Sequence, residues 1–229
     1  MKLPREVPVM VLPNATLFPQ SLLPLYIFEP RYRRMLADAL NSHRMFSVAM
    51  QRPGRTREMP CAVAGLGLIR ASVSRHDGTS NLVLQGIARV ELTEAVRYKP
   101  YRVNRIRPLE SRATDSVAVD ALTVKVLELV SERLEQGFEL PIHVLKKLGQ
   151  LDDLDTDKLP PDFALKQGIE ILAKLNNPDQ IADLVSCTLL SSPLERQLLL
   201  ETIDLEKRLK HLIRFLLAEI RRQQKHKDI

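Results

Sequence analysis

The side chains best suited to metal binding or acid–base catalysis are five histidines and two cysteines. Two ligands on one helix can share an ion when they lie about four residues apart, but no histidine has that spacing from another histidine or a cysteine. The cysteines, Cys61 and Cys187, form no CxxC pair, which excludes the usual zinc-ribbon and disulfide-scaffold patterns. We therefore expect no metal and no cofactor. The histidines are predicted to be surface residues: His43, His76, His143, His211 and His226.

The densest group of carboxylates, residues 152–157, has the composition of a calcium loop without its pattern. It lacks the central glycine that lets such a loop turn, and the final glutamate that binds the ion through both oxygens. Adjacent carboxylates such as Asp152 and Asp153 also do not face each other across a cleft, as a general acid and a general base must. We predict a solvated linker at this position.

The common motifs of enzyme active sites are missing from the sequence. It contains no GxxxxGK[ST] phosphate loop, no GxGxxG turn, no GxSxG elbow and no HExxH helix. The backbone cradles and activated nucleophiles that these motifs provide therefore cannot be located. We predict that the chain is not an enzyme, with a hydrolase that uses no recognisable motif as the alternative.

Two regions of different composition would have to position any functional side chains. Ten of the fifteen prolines, all four tyrosines and all six methionines lie before residue 110, whereas leucine-rich segments dominate after it. We predict two domains, residues 1–110 and 111–229, in a chain of 229 residues. Residues 205–229 carry eight Lys and Arg against three acidic residues, so most of the net charge of +6 belongs to this one segment.

Short apolar runs separated by turn residues fill the first region and predict a small, strongly bent sheet of about six strands. Pro8 and Pro24 place the first two strands at sheet edges or at strand starts. Pro30 is suited to the first turn of a helix that ends near Asn41. The runs that predict strands are residues 7–12, 22–28, 46–51, 61–72, 81–92 and 101–106.

Glycines within these runs predict where the sheet bends. Gly65 and Gly67 indicate a bend or bulge, and Gly86 interrupts a later strand. Asp77 and Gly78 supply residues that can form the tight turn of a hairpin. We predict a small, strongly bent sheet or a pseudo-barrel.

Long segments with apolar residues at helical spacing fill the second region and predict a helical bundle. N-caps and first-turn prolines mark where the helices begin. Three helices are predicted with both ends: from Asp115 or Ser116 to about Gln136, from Pro141 to Leu148, and from Asp162 to Leu175. Three more helices are predicted from their N-caps, which are Asn177, Ser192 in a capping box with Glu195, and Asp204. The predicted inner face of the last helix is Leu205, Leu209, Leu212, Ile213, Leu216 and Ile220.

Three stretches resemble, in the same order, the N-terminal domain of ATP-dependent Lon proteases, in the form found in stand-alone Lon-domain proteins. The first comprises residues 7–19 and 23–32. The second comprises residues 64–69, the Asp77-Gly78 turn and residues 84–90. The third comprises residues 177–184 and 200–209. The resemblance covers nearly the whole chain.

This resemblance implies an α+β fold, with a pseudo-barrel like that of RNA-binding PUA domains, one inserted helix, and a C-terminal helical bundle. It also implies the binding of unfolded or partially folded protein segments. A full Lon protease carries an AAA+ ATPase domain and a Ser-Lys peptidase domain downstream, whereas this sequence reaches Ile229 without a phosphate loop. We therefore expect it neither to hydrolyse ATP nor to cut peptides.

The predicted peptide-binding residues cluster where the second strand meets the first helix. Aromatic and arginine side chains suit binding surfaces because they offer large contact areas and hydrogen bonds at low entropic cost. A structural interpretation stays open, in which Tyr26 and Phe28 are both core residues and Glu29 pairs with Arg31. The six candidates are Phe18, Tyr26, Phe28, Glu29, Arg31 and Tyr32.

RNA binding through a PUA-like barrel is the alternative function. The first region is not strongly basic and the sequence has no tryptophan, which makes a stacking surface for bases less favoured. We therefore expect no nucleic acid among the partners. The arginines that would serve this function are Arg70, Arg75, Arg89, Arg102, Arg105 and Arg107.

The last helix presents a further choice, because basic residues flank its apolar face. It could dock on an acidic partner or a membrane surface, but packing against the preceding helices is the favoured interpretation. Prolines and polar residues interrupt the apolar runs at the N-terminus, so we expect no signal peptide, no membrane span and a cytoplasmic location. The flanking residues are Lys207, Arg208, Lys210, Arg214, Arg221 and Arg222.

Overall fold

The structure, a computed structural model, describes residues 2–54, 58–111, 116–135, 175 and 177–227. The helix predicted from Pro141, the acidic linker at residues 152–157 and all but the last residue of the helix predicted from Asp162 lie outside the described residues.

The described residues form a mixed α+β fold with six strands and five helices. The strands are β1 (Glu6–Leu12), β2 (Leu22–Ile27), β3 (Met45–Met50), β4 (Val63–Ser74), β5 (Ser80–Arg97) and β6 (Arg102–Leu109). The helices are α1 (Pro30–Leu40), α2 (Val117–Glu135), α3 (Pro178–Leu189), α4 (Pro193–Glu201) and α5 (Leu205–Lys227).

The six strands form one sheet in the order β2-β5-β4-β3-β1-β6, and β5 also pairs with β6. Only the β1–β3 pair is parallel. Strand β5 has 18 residues and is long enough to pair with two further strands. Its first part pairs with β2 and its second part with β6. Strands β1, β3, β4, β5 and β6 therefore form a closed circuit, with β2 attached outside it.

The prolines occupy the positions that their missing N–H groups allow. Pro24 lies in β2, which is an edge strand, as predicted. Strand β1 has neighbours on both sides, so the edge interpretation is wrong for Pro8. Pro8 pairs with Val103 of β6 before the register with β3 begins at Val9, which fits the alternative of a strand start. Pro30 begins α1 as predicted.

Both faces of the sheet are buried over much of the circuit. One apolar cluster joins the sheet to α1 and includes Met35, Phe46 and Leu84. A second cluster lies on the other side and includes Val9, Leu66 and Val90. Because β3 contributes to both clusters, all six of its residues are buried.

Two glycines in the sheet are required by the close approach of the loop between β1 and β2. A Cβ atom at Gly65 would collide with the backbone carbonyl of Leu17, and one at Gly86 would collide with that of Phe18. The predicted bulge is present, since the register between β4 and β5 shifts at Leu66/Gly67. The predicted hairpin turn is also confirmed, with Gly78 at a φ of 79°.

The chain divides into two compact units. The first contains the six strands, α1 and residues 196–203, and the second contains α2, α3, residues 191–195 and α5. Hydrogen bonds explain why residues 196–203 group with the sheet. The Gln197 side chain donates to the carbonyl of Val63 over 2.9 Å, and Arg89 donates to the carbonyl of Leu200 over 3.2 Å.

In the second unit, α2, α3 and α5 pack against one another. The predicted N-cap side chains are present: Ser116, Asn177, Ser192 and Asp204 each accept a hydrogen bond from a backbone N–H in the first turn of their helices. The capping box predicted at Ser192 and Glu195 forms only in part, because the Glu195 carboxylate, which such a box directs back to the Ser192 N–H, pairs with Arg222 over 3.4 Å instead. Leu205, Leu209, Leu212, Leu216 and Ile220 of α5 are buried as predicted, while Ile213 is half-buried.

Arg208 corrects the prediction that it flanks the apolar face of α5. Its side chain is fully buried and donates to Asp183 over 2.9 Å, to Ser111 over 2.7 Å and to Asp179. A buried guanidinium is stable only when such partners replace its water shell. Arg208 therefore belongs to the interior of the second unit.

Candidate functional site

An exposed apolar surface covers the outer side of β2, β5 and β4. The register places Pro24, Val83 and Ala71 in one row across the three strands, and Tyr26, Asn81 and Val73 in the next. A shallow depression of about 450 Å³ lies over these rows. We call the surface formed by Pro24, Tyr26, Phe28, Ala71, Val73 and Val83 the apolar face.

The apolar face is unusual for its exposure. Val73 is 65% exposed, Tyr26 49% and Phe28 58%. The rings of Tyr26 and Phe28 stack, with their centroids 5.8 Å apart and their planes 27° apart. Exposed apolar side chains that adjoin one another, rather than occurring singly, indicate a site that contacts another molecule.

Tyr26 and Phe28 therefore do not lie in the core, and the structural interpretation of this pair is wrong. Alternation along β2 gives the reason, because Ile27, between them, is the residue that points inward and is 2% exposed. The sequence pattern alone does not reveal which set of alternate residues faces the interior.

Arginine borders the apolar face at the β4–β5 hairpin. The Arg75 guanidinium lies 5.5 Å from the centre of the Tyr26 ring, within the range of a cation–π contact. The neighbouring Asp77 carboxylate accepts hydrogen bonds from the backbone N–H and the hydroxyl of Thr79. These bonds lower the pKa of Asp77, so this carboxylate stays ionised within the turn.

Phe18 is not on the surface, which corrects its prediction as a binding residue. Its side chain is completely buried. Phe18 belongs to the loop whose backbone lies against Gly65 and Gly86, and the Arg89 guanidinium lies 5.9 Å from the centre of its ring. A side chain without exposed area cannot contact a partner, so Phe18 acts in the fold.

Glu29, Arg31 and Tyr32 hold the junction between β2 and α1. The Nε of Arg31 donates to Glu29 over 2.8 Å, which confirms the predicted pair, and its Nη1 donates to Glu58. These bonds, with that to Glu58 the strongest, raise the pKa of Arg31. The predictions did not include Glu58, because nothing in the sequence near it marks a partner 27 residues away.

The hydroxyl of Tyr32 lies against the backbone of β1 at Val11, beyond Val9, where the pairing of β1 with β6 ends. It accepts a hydrogen bond from the N–H of Val11 and lies 3.2 Å from the Val11 carbonyl and 3.1 Å from Glu58. Burial raises the pKa of Tyr32 to about 12. Tyr32 is 5% exposed, so its prediction as a surface residue is corrected. We call Glu29, Arg31, Tyr32 and Glu58 the junction network.

Several arginines proposed for RNA binding are already engaged. Arg89 is buried and donates to Leu200. Arg105 pairs with Glu6 and Glu94, and Arg107 with Glu91. Three of the six candidates therefore do not present free positive charge.

The described residues offer neither a metal site nor a membrane-spanning helix. Over the described residues, no three histidine, cysteine, aspartate or glutamate side chains come together as metal ligands would. No helix in the described ranges combines the length and apolar character needed to cross a membrane. Within the described residues, Cys61 and Cys187 are not joined in a disulfide.

The α+β arrangement matches solved structures of one class of domain. The N-terminal domain of the Lon protease of the Mycobacterium avium complex superposes with a TM-score of 0.65, at 17% identity, over 92% of this chain and 97% of that one. A Lon N-terminal domain protein from Xanthomonas campestris gives a TM-score of 0.56, at 21% identity, over 92% and 98%. The fold is that of Lon N-terminal domains.

Sequence comparison assigns the family. The profile described as "ATP-dependent protease La (LON) substrate-binding domain" matches residues 6–218, and the chain belongs to this family. It is 25% identical over 219 residues to a Lon protease of Anaeromyxobacter dehalogenans, covering 93% of this chain and 23% of that protein. A Lon protease of Roseiflexus castenholzii is 25% identical over 221 residues, with 95% and 24% covered. The chain spans about a quarter of the length of these curated relatives.

Proposed function

We propose that this chain is a non-catalytic recognition module that binds unfolded or partially folded protein segments on the apolar face. The exposed Tyr26–Phe28 pair beside Val73 is the observation that carries the proposal. Membership of a family described as a substrate-binding domain supports it. The absence of phosphate-loop and nucleophile motifs from the sequence supports a non-catalytic role.

Burial of side chains is the proposed source of affinity. Covering one large apolar side chain contributes roughly 1.5–3 kcal/mol, and aromatic residues in the middle of a contact surface contribute most. A disordered client loses conformational entropy when it binds, which offsets part of this gain. We therefore expect affinities weak enough for clients to be released.

The proposed contact uses the face of the sheet rather than the edge of β2. Strand addition would need a continuous row of backbone donors and acceptors along that edge. Pro24 lies in the middle of β2 and has no N–H, and prolines on edge strands are a known means of preventing strand addition. Side-chain contacts with the apolar face do not meet this obstacle.

Two finer features of the fold are part of the same proposal. We infer that the closed strand circuit is a PUA-like barrel, which the pairing of β6 with both β1 and β5 supports. We also infer that α2, α3 and α5 belong to a C-terminal helical bundle, which their mutual packing supports. A cytoplasmic location is proposed as well, and two cysteines that form no disulfide agree with it.

Binding of a permanently unfolded protein tests the proposal. A fluorescently labelled, reduced and alkylated protein would be titrated with the chain and followed by anisotropy. We expect the double substitution Tyr26→Ala and Phe28→Ala to weaken binding at least tenfold, as loss of a central aromatic pair does. Tyr98→Ala is the matched control, because Tyr98 is 65% exposed but lies outside the apolar face.

Equal affinity for the double variant and the original chain would refute the proposal. Loss of binding in Tyr98→Ala alone would move the site to the opposite end of β5. Hydrolysis of ATP or of the labelled client by the purified chain would contradict the non-catalytic role.

A further inference from the structure

The rim of the apolar face carries a net positive charge. Arg70 and Arg75 are exposed and lie on either side of the part of β4 that belongs to the face, residues 71–74. Arg33 lies against the hairpin turn at Gly78. Within the described part of the chain, no carboxylate is within ion-pair distance of any of these three arginines.

The one carboxylate in this turn, that of Asp77, interacts electrostatically with Arg75 and Arg33 and offsets only part of that charge. Asp77 is held by two hydrogen bonds from Thr79, over 2.9 and 2.7 Å, and so is directed into the turn. It contributes one negative charge against three positive ones. Elsewhere on the sheet the arginines differ, because Arg105 and Arg107 are each paired with glutamates.

We infer that the apolar face selects extended segments in which acidic residues flank alternating apolar side chains, an inference that rests on the proposed function. Aromatic or aliphatic side chains of the client would cover Tyr26, Val73 and Val83. Its carboxylates would meet the guanidinium groups of Arg70 and Arg75, which form stronger hydrogen bonds with carboxylates than neutral donors do.

The spacing of the two arginines sets the length of the segment. Arg75 comes directly after the last residue of β4 and follows Arg70 by five positions, which corresponds to about 16 Å in an extended chain. A client segment of about six or seven extended residues therefore spans the distance between the two charges. Lysine or arginine side chains of a client would be repelled by Arg70 and Arg75.

Three labelled peptides test this inference by anisotropy. Each has the core valine-serine-phenylalanine-serine-valine, flanked on both sides by aspartate, by asparagine or by lysine. At about 50 mM salt, where exposed charges are weakly screened, we expect the aspartate peptide to bind about fivefold more tightly than the asparagine peptide and the lysine peptide to bind more weakly than both. At about 1 M salt the three affinities should converge.

Charge-removing variants locate the effect. The double variant Arg70→Gln, Arg75→Gln should reduce the ratio between the aspartate and asparagine affinities to near one. Arg214→Gln is the matched control, because it removes one exposed arginine charge from α5 in the second unit and should leave the ratio unchanged. Thermal melting of both variants confirms that they fold.

The outcomes separate this inference from the proposed function. If all three peptides bind equally and Tyr26→Ala weakens them all, the apolar face binds clients but charge selection is wrong. If no peptide binds at millimolar concentration, both proposals are wrong. If single-stranded oligouridine displaces the aspartate peptide at low salt, the arginines contact phosphates, and the acidic-client inference is overturned.

Discussion

The apolar face and the junction network meet in one segment of the chain, residues 26–32, and follow opposite physical rules. Tyr26 and Phe28 leave about half of their area in contact with solvent. Tyr32 is buried, and its hydroxyl contacts both backbone groups of Val11 as well as Glu58. The contrast shows that residue type alone does not mark a binding site. An aromatic residue that is buried among internal contacts stabilises the fold, whereas one that is half exposed is available to a partner.

Truncation of Tyr32 should give the largest effect on stability. We expect Tyr32→Ala to lower the free energy of unfolding by about 3–4 kcal/mol, because it removes a buried aromatic ring and leaves a cavity. Chemical denaturation measures this change. Client affinity of the folded fraction should stay the same, and a specific loss of affinity would place Tyr32 in the binding site after all.

A pH titration should separate the hydroxyl of Tyr32 from its ring. Because burial raises the pKa of Tyr32 to about 12, above the value of about 10 in an unfolded chain, its contribution is complete below pH 10 and is lost as the pH rises towards 12. Relative to Tyr32→Phe, the original chain should lose about 2 kcal/mol of stability over this range. If the free energies of unfolding of the two proteins changed with pH in the same way, the pKa of Tyr32 would not be raised in the folded chain.

Substitution of Glu58 should have a smaller effect. Its carboxylate is about one-third exposed, so solvent weakens its ion pair with Arg31. We expect Glu58→Gln to lower the free energy of unfolding by about 0.5–1 kcal/mol, measured by urea denaturation. A loss as large as that of Tyr32→Ala would mean that Glu58 anchors the whole loop between β3 and β4.

Substitutions in the apolar face should change the free energy of unfolding least. We expect Tyr26→Ala to change the free energy of unfolding by no more than about 0.5 kcal/mol, as is usual for exposed positions, although it weakens client binding. Thermal melting and anisotropy on the same sample provide both values. A destabilisation above about 2 kcal/mol would make Tyr26 a structural residue like Tyr32, and the contrast between the two regions would disappear.

The sequence predicts local features of this fold well because they depend on neighbouring residues. Pro30 at the start of α1, the Asp77-Gly78 turn and the caps at Asn177 and Asp204 all follow from the chemistry of a few adjacent groups. The Glu29–Arg31 pair is local in the same sense.

Features that depend on distant parts of the chain could not be predicted in the same way. The burial of Phe18 follows from a loop that crosses β4 and β5, and the role of Tyr32 depends on Glu58 and Val11. Arg208 is instructive, because it lies three residues after Leu205 and four before Leu212, on the apolar stripe of α5. That spacing was a signal for burial that its charge obscured.

The approach of the Leu17 and Phe18 carbonyls to Gly65 and Gly86 also limits how this domain can diverge. At these two positions even a methyl group would meet rigid main chain rather than a side chain that can rotate away. Saturation mutagenesis should therefore find both sites intolerant of every other amino acid. A related sequence that carries a larger residue at either site must route its first loop along another path, so these two positions serve as a diagnostic of loop geometry.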